Sequence, residues 1–188
     1  MNIIKKVNVE VKGFRPYLQH RRPNSEDDVK TSEKIIRVLQ KNPFDMEHAQ
    51  KEAELGAYKN SNGYYIPSVH IQEALVKAGA RIKVKGQGRR TYKDYMKSYV
   101  FVEPEEIPIT PQKWTLDRRY VKIQRSGITR NRPRFDGWSA TFQLLITDDS
   151  LPLSEIKEIL EIAGQRIGIG DYRPRFGLFE VVSFEENK

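Results

Sequence analysis

From Asn2 to Val11 the chain alternates. Ile4, Val7, Val9 and Val11 are apolar, and Lys5, Asn8 and Glu10 between them are polar. A period near two predicts a half-buried strand. In NGYYIPSVHIQEALVKAGARIKV the period changes: Ile71, Ala74, Leu75 and Ala78 fall at i, i+3, i+4 and i+7. That stripe predicts a helix, with Ser68 as its cap and Gly79 as its stop. SYVFVEP at 98–104 reads as a second strand and GWSATFQLLITDD as a third, ended by Asp148 and Asp149, whose charges suit the start of a helix. The stripe recurs at Ile156, Ile159, Leu160 and Ala163, with Ser150 or Ser154 as cap and Gly164 as stop. GLFEVVSF is the last strand.

The order is therefore strand, helix, strand, strand, helix, strand. Its two helices share a short repeat, ALVKAGARI and ILEIAGQRI, in which Leu, Ala-Gly, Arg and Ile match at equal offsets. Together these predict an α+β fold with a ferredoxin-like (RRM-like) core of two split βαβ units. Two segments interrupt it. Residues 14–65 begin in GFRPYLQHRRPNSEDDVK, where Gly13, Pro16 and Pro23 break the pattern. A short helix carrying Ile35, Ile36, Val38 and Leu39 follows, capped by Thr31 or Ser32 and ended by Pro43; Asp45 caps a second, ended by Gly56. In RYVKIQRSGITRNRPRF, Ser126-Gly127 between two alternating runs predicts a hairpin.

With 38% hydrophobic and 31% charged residues among 188, the chain has enough apolar material for a core and a large polar surface. It has no cysteine, which excludes disulfides and zinc–thiolate sites and is compatible with a reducing, cytoplasmic location. No run approaches a membrane span and the first residues do not read as a signal peptide, so no membrane partner is expected. Charge changes the picture most. The net charge is +8 and its sources cluster. Between Arg81 and Lys97 seven bases face one acid, Asp94; between Arg118 and Phe135 there are seven bases and no acid. Such blocks point to a phosphate backbone as partner.

The tetrapeptide Arg-Pro-Arg-Phe occurs twice, at 132–135 and 173–176. The second copy lies in GQRIGIGDYRPRFG, where Gly164, Gly168, Gly170 and Gly177 allow positive φ and close backbone approach. No Lys-Ser or Lys-Thr opens a helix after it, and it lies between helix and strand; both features disfavour a mononucleotide or dinucleotide loop. Arg166, Arg173 and Arg175 stud this loop, and guanidinium groups fork onto phosphate or stack on bases. Phe135, Phe176 and Phe179 read as core; Tyr172 reads as a stacking platform for a base.

At this point the residues carry a resemblance. IGIGDYRPRFGLFEV, a Gly-hydrophobic-Gly loop before a final aromatic strand, resembles the RAMP superfamily of CRISPR-associated RNA-binding proteins. NGYYIPSVHIQEAL is similar to the Tyr-Ile-Pro-Gly-Ser-Ser segment that opens the first helix in backbone subunits of CRISPR effectors, with Ser-Val-His standing where the family has Gly-Ser-Ser. The resemblance implies one RAMP-like domain over 1–188, with an insertion lobe at about 14–65 and a basic thumb hairpin at about 105–137. It implies a subunit that polymerises along single-stranded RNA, beside copies of itself and other effector subunits, in antiviral defence, without a cofactor. Nucleic-acid contacts are expected at Arg15, Arg89, Arg90, Arg125, Arg130, Arg132, Arg134, Arg166, Gly168, Gly170, Tyr172, Arg173 and Arg175. Segments 118–136 and 164–177 would then be opposite walls of one cationic channel.

Two alternatives stay open: a RAMP-type endoribonuclease that processes CRISPR RNA, and a solitary viral or mobile-element protein that binds single-stranded DNA or acts in assembly. Some members of the superfamily use a histidine as general acid or base, a role open to His70 or His20. Some backbone subunits cleave with an aspartate in the first insertion, where Asp27 and Asp28 stand. The blander readings are phosphate-contacting histidines and a solvated acidic loop, so a non-catalytic protein is expected. The three histidines show no metal-ligand spacing, so no metal is expected, and Ser68 lacks an apparent His-Asp partner.

Overall fold

Val7, Val9 and Val11 are fully buried and set the inner face of β1 (Lys5–Gly13). This is seen in a computed structural model that describes residues 4–123 and 126–187. Ile4 lies ahead of the strand and is half exposed. The chain then runs through β2 (Tyr17–Leu18), α1 (Glu26–Lys41) and α2 (Met46–Leu55). Thr31 and Ser32, expected as caps, lie within α1. The cap is Ser25, whose Oγ accepts from the Asp28 N–H at 3.1 Å. Glu26, Asp27 and Asp28 fill the first turn, where the helix dipole favours carboxylates. The acidic run is a helix start rather than a solvated loop. Asp45 caps α2 as expected, accepting from the His48 N–H at 3.0 Å.

After β3 (Lys59–Asn60) and β4 (Gly63–Pro67) comes α3 (Ser68–Gly79), with Ile71, Ala74, Leu75 and Ala78 fully buried. Ser68 is its first residue rather than its cap. Pro67 holds that place without a side-chain bond, and the Ser68 N–H donates to the Glu105 carbonyl at 2.8 Å. α4 (Lys93–Ser98), β5 (Val100–Glu103), β6 (Glu106–Thr110), β7 (Thr115–Ile123), β8 (Ser126–Phe135) and β9 (Ser139–Ile146) follow. Ser126 and Gly127 pair with Ile123 and Lys122, so they open β8 rather than form the turn.

α5 (Leu153–Ile162) has Pro152 at its cap, and neither Ser150 nor Ser154 caps it. It does not stop at Gly164. A π-helical turn (Ala163–Ile167) carries it to Gly168, whose φ is +72°. Gly164 is required for packing instead: a Cβ there would overlap the Phe179 carbonyl and ring on β10 (Phe179–Glu186). Gly79 serves similarly, since its Cβ would come within 3.0 Å of the Tyr92 backbone. The repeated Ala-Gly thus marks two close approaches; Gly79 also ends its helix, as expected, and Gly164 does not.

The larger sheet is antiparallel, in the order β10-β1-β9-β6-β4-β3, and β5 pairs with the same edge of β9 as β6. Val9 sits between Phe142 on β9 and Phe184 on β10. α3 and α5 bury their stripes in one core with the inner faces of β1, β5 and β9. Each fully buried Ile or Leu side chain there contributes roughly 1.5–3 kcal/mol. A second, three-stranded sheet has the order β2-β8-β7. The architecture is mixed α+β with antiparallel sheets, compatible with a ferredoxin-like fold. Among the described residues no helix is long and apolar enough to cross a membrane.

Candidate nucleic-acid interface

β2 joins the hairpin to the glycine-rich loop. On one side Tyr17 and Leu18 pair with Phe135 and Arg134 of β8, and the Gln19 N–H donates to the Pro133 carbonyl at 3.2 Å. On the other, the Asp171 N–H donates to the Leu18 carbonyl at 2.9 Å and the Gly177 N–H to the Pro16 carbonyl at 2.8 Å. The glycines make this possible. A Cβ at Gly170 would overlap the Tyr17 ring and the Leu18 carbonyl, and one at Gly168 would come 3.0 Å from the Phe176 carbonyl. Gly168 and Gly170 were expected to contact nucleic acid. The backbone that approaches them is the protein's own.

Segments 118–136 and 164–177 do meet, but directly rather than as facing walls of a channel. Arg132, expected as a phosphate anchor, is only 3% exposed; its Nη1 donates to Asp171 Oδ2 at 2.8 Å, while Nε and Nη2 are buried without partners. It fastens the hairpin to the loop. Arg134 forks onto Asp136, with Nη2 at 2.7 Å, and that carboxylate raises its pKa and offsets its charge. The two Arg-Pro-Arg-Phe copies are not equivalent: one ends a strand and the other lies in a loop.

Arg15, Arg166 and Arg175 are exposed, as are Arg89 and Arg90 between α3 and α4, where Arg90 lies 4.8 Å from the Tyr95 ring. Arg130 donates to His20 Nε2 at 3.4 Å. Arg125 lies outside the described residues. Phe135, Phe176 and Phe179 are core, as read, and Tyr172 is 44% exposed. Tyr172 stacks on Phe176 with ring centroids 5.7 Å apart, and the Arg119 guanidinium lies 4.8 Å from the Phe176 centroid. Tyr172 also has φ of +60°, a conformation that costs a non-glycine residue on the order of 1 kcal/mol and persists where its surroundings fix it.

A further concentration of positive charge lies elsewhere on the loop. α3, the start of α4, the π-helical turn and the loop enclose an open cleft of about 630 Å³. Lys77, Arg81, Lys93, Arg166 and Arg173 line it, with no carboxylate among the lining residues. The nearest acid is Glu73, 3.6 Å from Lys77 and 3.9 Å from Arg173. Five cations around a groove focus a positive potential suited to a run of phosphates. Lys77, Arg81 and Lys93 were absent from the expected contacts. The signal was present: Lys77 lies in the last turn of the helix whose Leu75 and Ala78 face the core, and Arg81 follows just after its end.

Of the side chains considered for catalysis, His70, His20 and Asp28 are held in contacts within the protein. His70 Nδ1 lies 2.9 Å from the Tyr17 hydroxyl, with the Tyr58 ring edge-on at 5.4 Å. Burial, then the Arg173 charge, push the His70 pKa down to about 4, against the opposing pull of Glu73. Burial and Arg130 also lower that of His20. Asp28 pairs with Arg21 at 2.9 Å.

His70 makes stability pH-dependent. The unfolded chain protonates this side chain near its usual 6.5 and the folded chain only near 4. Protons therefore favour unfolding as pH falls through that window, by up to about 3 kcal/mol from this residue. The urea midpoint is expected to drop between pH 7 and pH 4.5. His70→Asn, which keeps a polar atom near the Nδ1 position, should flatten that drop. An unchanged pH profile in the variant would assign the effect to other groups.

Fold and cleft together define a class, an α+β protein of antiparallel sheets with a cationic groove. No protein-family model and no curated protein matches the chain. Among solved structures, a chain of the cryo-EM structure of the Type III-B Cmr-beta bound to cognate target RNA is similar, with TM-score 0.57 and 12% identity. The match takes in 98% of this chain and 61% of that one, and the likeness is one of fold.

Proposed function

We propose that this protein binds single-stranded nucleic acid, RNA in the first place, as a non-catalytic RAMP-like subunit that coats the strand in a CRISPR-type ribonucleoprotein. The observation that carries this reading is the cleft lined by five cations, on a loop that also exposes Tyr172, the residue before Arg173. A cationic groove that tracks phosphates, combined with an aromatic side chain that stacks bases, is the recurring design for binding single strands. Fold likeness to a chain from a structure bound to target RNA supports it. In this reading β10, β1, β9 and β5, which pair in that order, are the four strands of a split βαβ sheet. In this reading residues 14–65 are the insertion lobe and 105–137 the thumb of a single domain. Arg15, Arg166, Arg173 and Arg175 hold phosphates, and Tyr172 stacks on a base. His70 is a half-buried, neutral side chain bonded to Tyr17, which favours binding over the nuclease alternative.

Titration with labelled single-stranded RNAs of increasing length tests this directly. Affinity should be salt-sensitive, weaker for duplex RNA of the same length, and the number of proteins per strand should rise with length. Equal affinity for duplex and single strand would refute it. Parallel titration of single-stranded DNA separates RNA from DNA, since only RNA offers the 2′-hydroxyl.

A further inference from the structure

α1, α2 and the hairpin enclose a second cavity, of about 430 Å³, which shares no lining residue with the cationic cleft. Its size lies within the ~300–1,000 Å³ typical of small-ligand sites. Its walls are apolar: Ile36 and Leu39 from α1, Pro43, and Ile128 from β8. Tyr120 forms an aromatic wall. It is 68% exposed, and its ring lies across Gly127, where a Cβ would overlap the phenol. Glycine at that position lets the ring lie flat over the strand.

The remaining lining is polar and incompletely used. Asn131 is only 2% exposed; its Nδ2 donates to Glu52 Oε2, and its Oδ1 has no partner. One Nδ2 hydrogen is committed to Glu52, and the Oδ1 acceptor remains unpartnered. A buried unpartnered acceptor is costly unless a ligand supplies a donor. The cavity therefore offers two acceptor groups, Asn131 and Glu52. Arg130 also lines it, and Arg118 lies 5.7 Å from the exposed Phe44 ring.

We propose that this cavity takes one unstacked base of the bound strand, stacked on Tyr120, with its exocyclic amino group donated to Asn131 and Glu52 and its phosphate held by Arg130. The inference rests on the single-strand reading above. Apolar walls, an aromatic face and an acceptor edge fit a planar heterocycle, and an aliphatic side chain or acyl tail would leave the acceptors unsatisfied. Adenine, cytosine and guanine carry the required amino donor, and uracil does not.

Homopolymeric A15, C15 and U15 RNAs, titrated against the full chain, test it. The wild type should bind A15 and C15 more tightly than U15. Tyr120→Ala should weaken A15 and C15 about tenfold, from lost stacking. Glu52→Gln, which turns one acceptor into a donor, should reduce the preference over U15. Crosslinking of an 8-azidoadenosine strand to the wild type should label Tyr120 or Ile128, a readout independent of any variant's folding. If the wild type binds no single strand, the function proposed above fails and this inference with it. If it binds without a base preference, and label is absent from the hairpin, this inference alone fails. Variants that alter self-association in sedimentation but leave all three affinities unchanged would make the groove a protein interface and overturn it.

Discussion

Replacing Arg81, Lys93, Arg166 and Arg173 together by alanine is expected to weaken single-strand binding at least a hundredfold near physiological salt. These four line the cleft with Lys77, and Arg81 and Lys93 have no carboxylate within ion-pair distance among the described contacts. A modest ~1 kcal/mol for each solvated phosphate contact gives a loss of that order. The salt dependence is the sharper readout. Each phosphate neutralised on a single strand contributes about 0.7 to the slope of log affinity against log salt, so four lost contacts should flatten it by nearly 3. Arg134→Ala is the internal contrast. Its guanidinium is already forked onto Asp136, so its removal should change affinity less than threefold and leave the slope nearly unaltered. A quadruple variant with the wild-type slope would show that the strand runs elsewhere.

Gly177→Ala should be the most destabilising conservative substitution in the glycine-rich loop. Gly177 has φ of +74°, and a Cβ there would overlap the carbonyl oxygen of Ile169. That oxygen belongs to a backbone pinned by the bond from the Ile169 N–H to the Gly177 carbonyl at 2.9 Å, so it cannot easily withdraw. Gly137 isolates the conformational part of the effect: its φ is +58°, but nothing lies within 4 Å of its Cβ position. Gly137→Ala should therefore cost about 1–2 kcal/mol, the left-handed penalty alone. Gly177→Ala adds a backbone collision and should cost roughly 4 kcal/mol or more. At roughly 2–4 °C per kcal/mol for a chain of this size, thermal denaturation should show a drop of about 10 °C or more. Equal drops in the two variants would mean the loop relaxes around the new methyl group. The loop also presents Arg173 and Tyr172, so Gly177→Ala should weaken strand binding as well.

Much of the fold was legible because periodicity reports a local fact. The inner face of β1, the stripes of α3 and α5, the Asp45 cap and the hairpin all followed from residues within a few positions of one another. So did the exposure of Tyr172 and the burial of Phe135, Phe176 and Phe179. The start of α1 was missed for an avoidable reason. Ser25 followed by three acids is a capping signal, and it was read as a solvated loop. The caps of α3 and α5 were less accessible. Pro67 and Pro152 precede those helices without offering a side-chain acceptor, and the nearby serines drew the reading.

The candidate site divides along the same line. Sequence alone determined that the chain is strongly basic, that its charge falls in two blocks, and which helix faces point outward, because charge and period are properties of neighbouring residues. Only the tertiary structure decided which arginines are buried inside the fold. Arg132 and Arg173 occupy the same place in identical tetrapeptides, yet one is buried against Asp171 and the other lines an open cleft. The partner that separates them lies 39 residues along the chain from Arg132, and β2 brings it there. Whether a cation is spent inside the fold or left for a ligand depends on such distant carboxylates and on the dielectric around them, which no local pattern encodes.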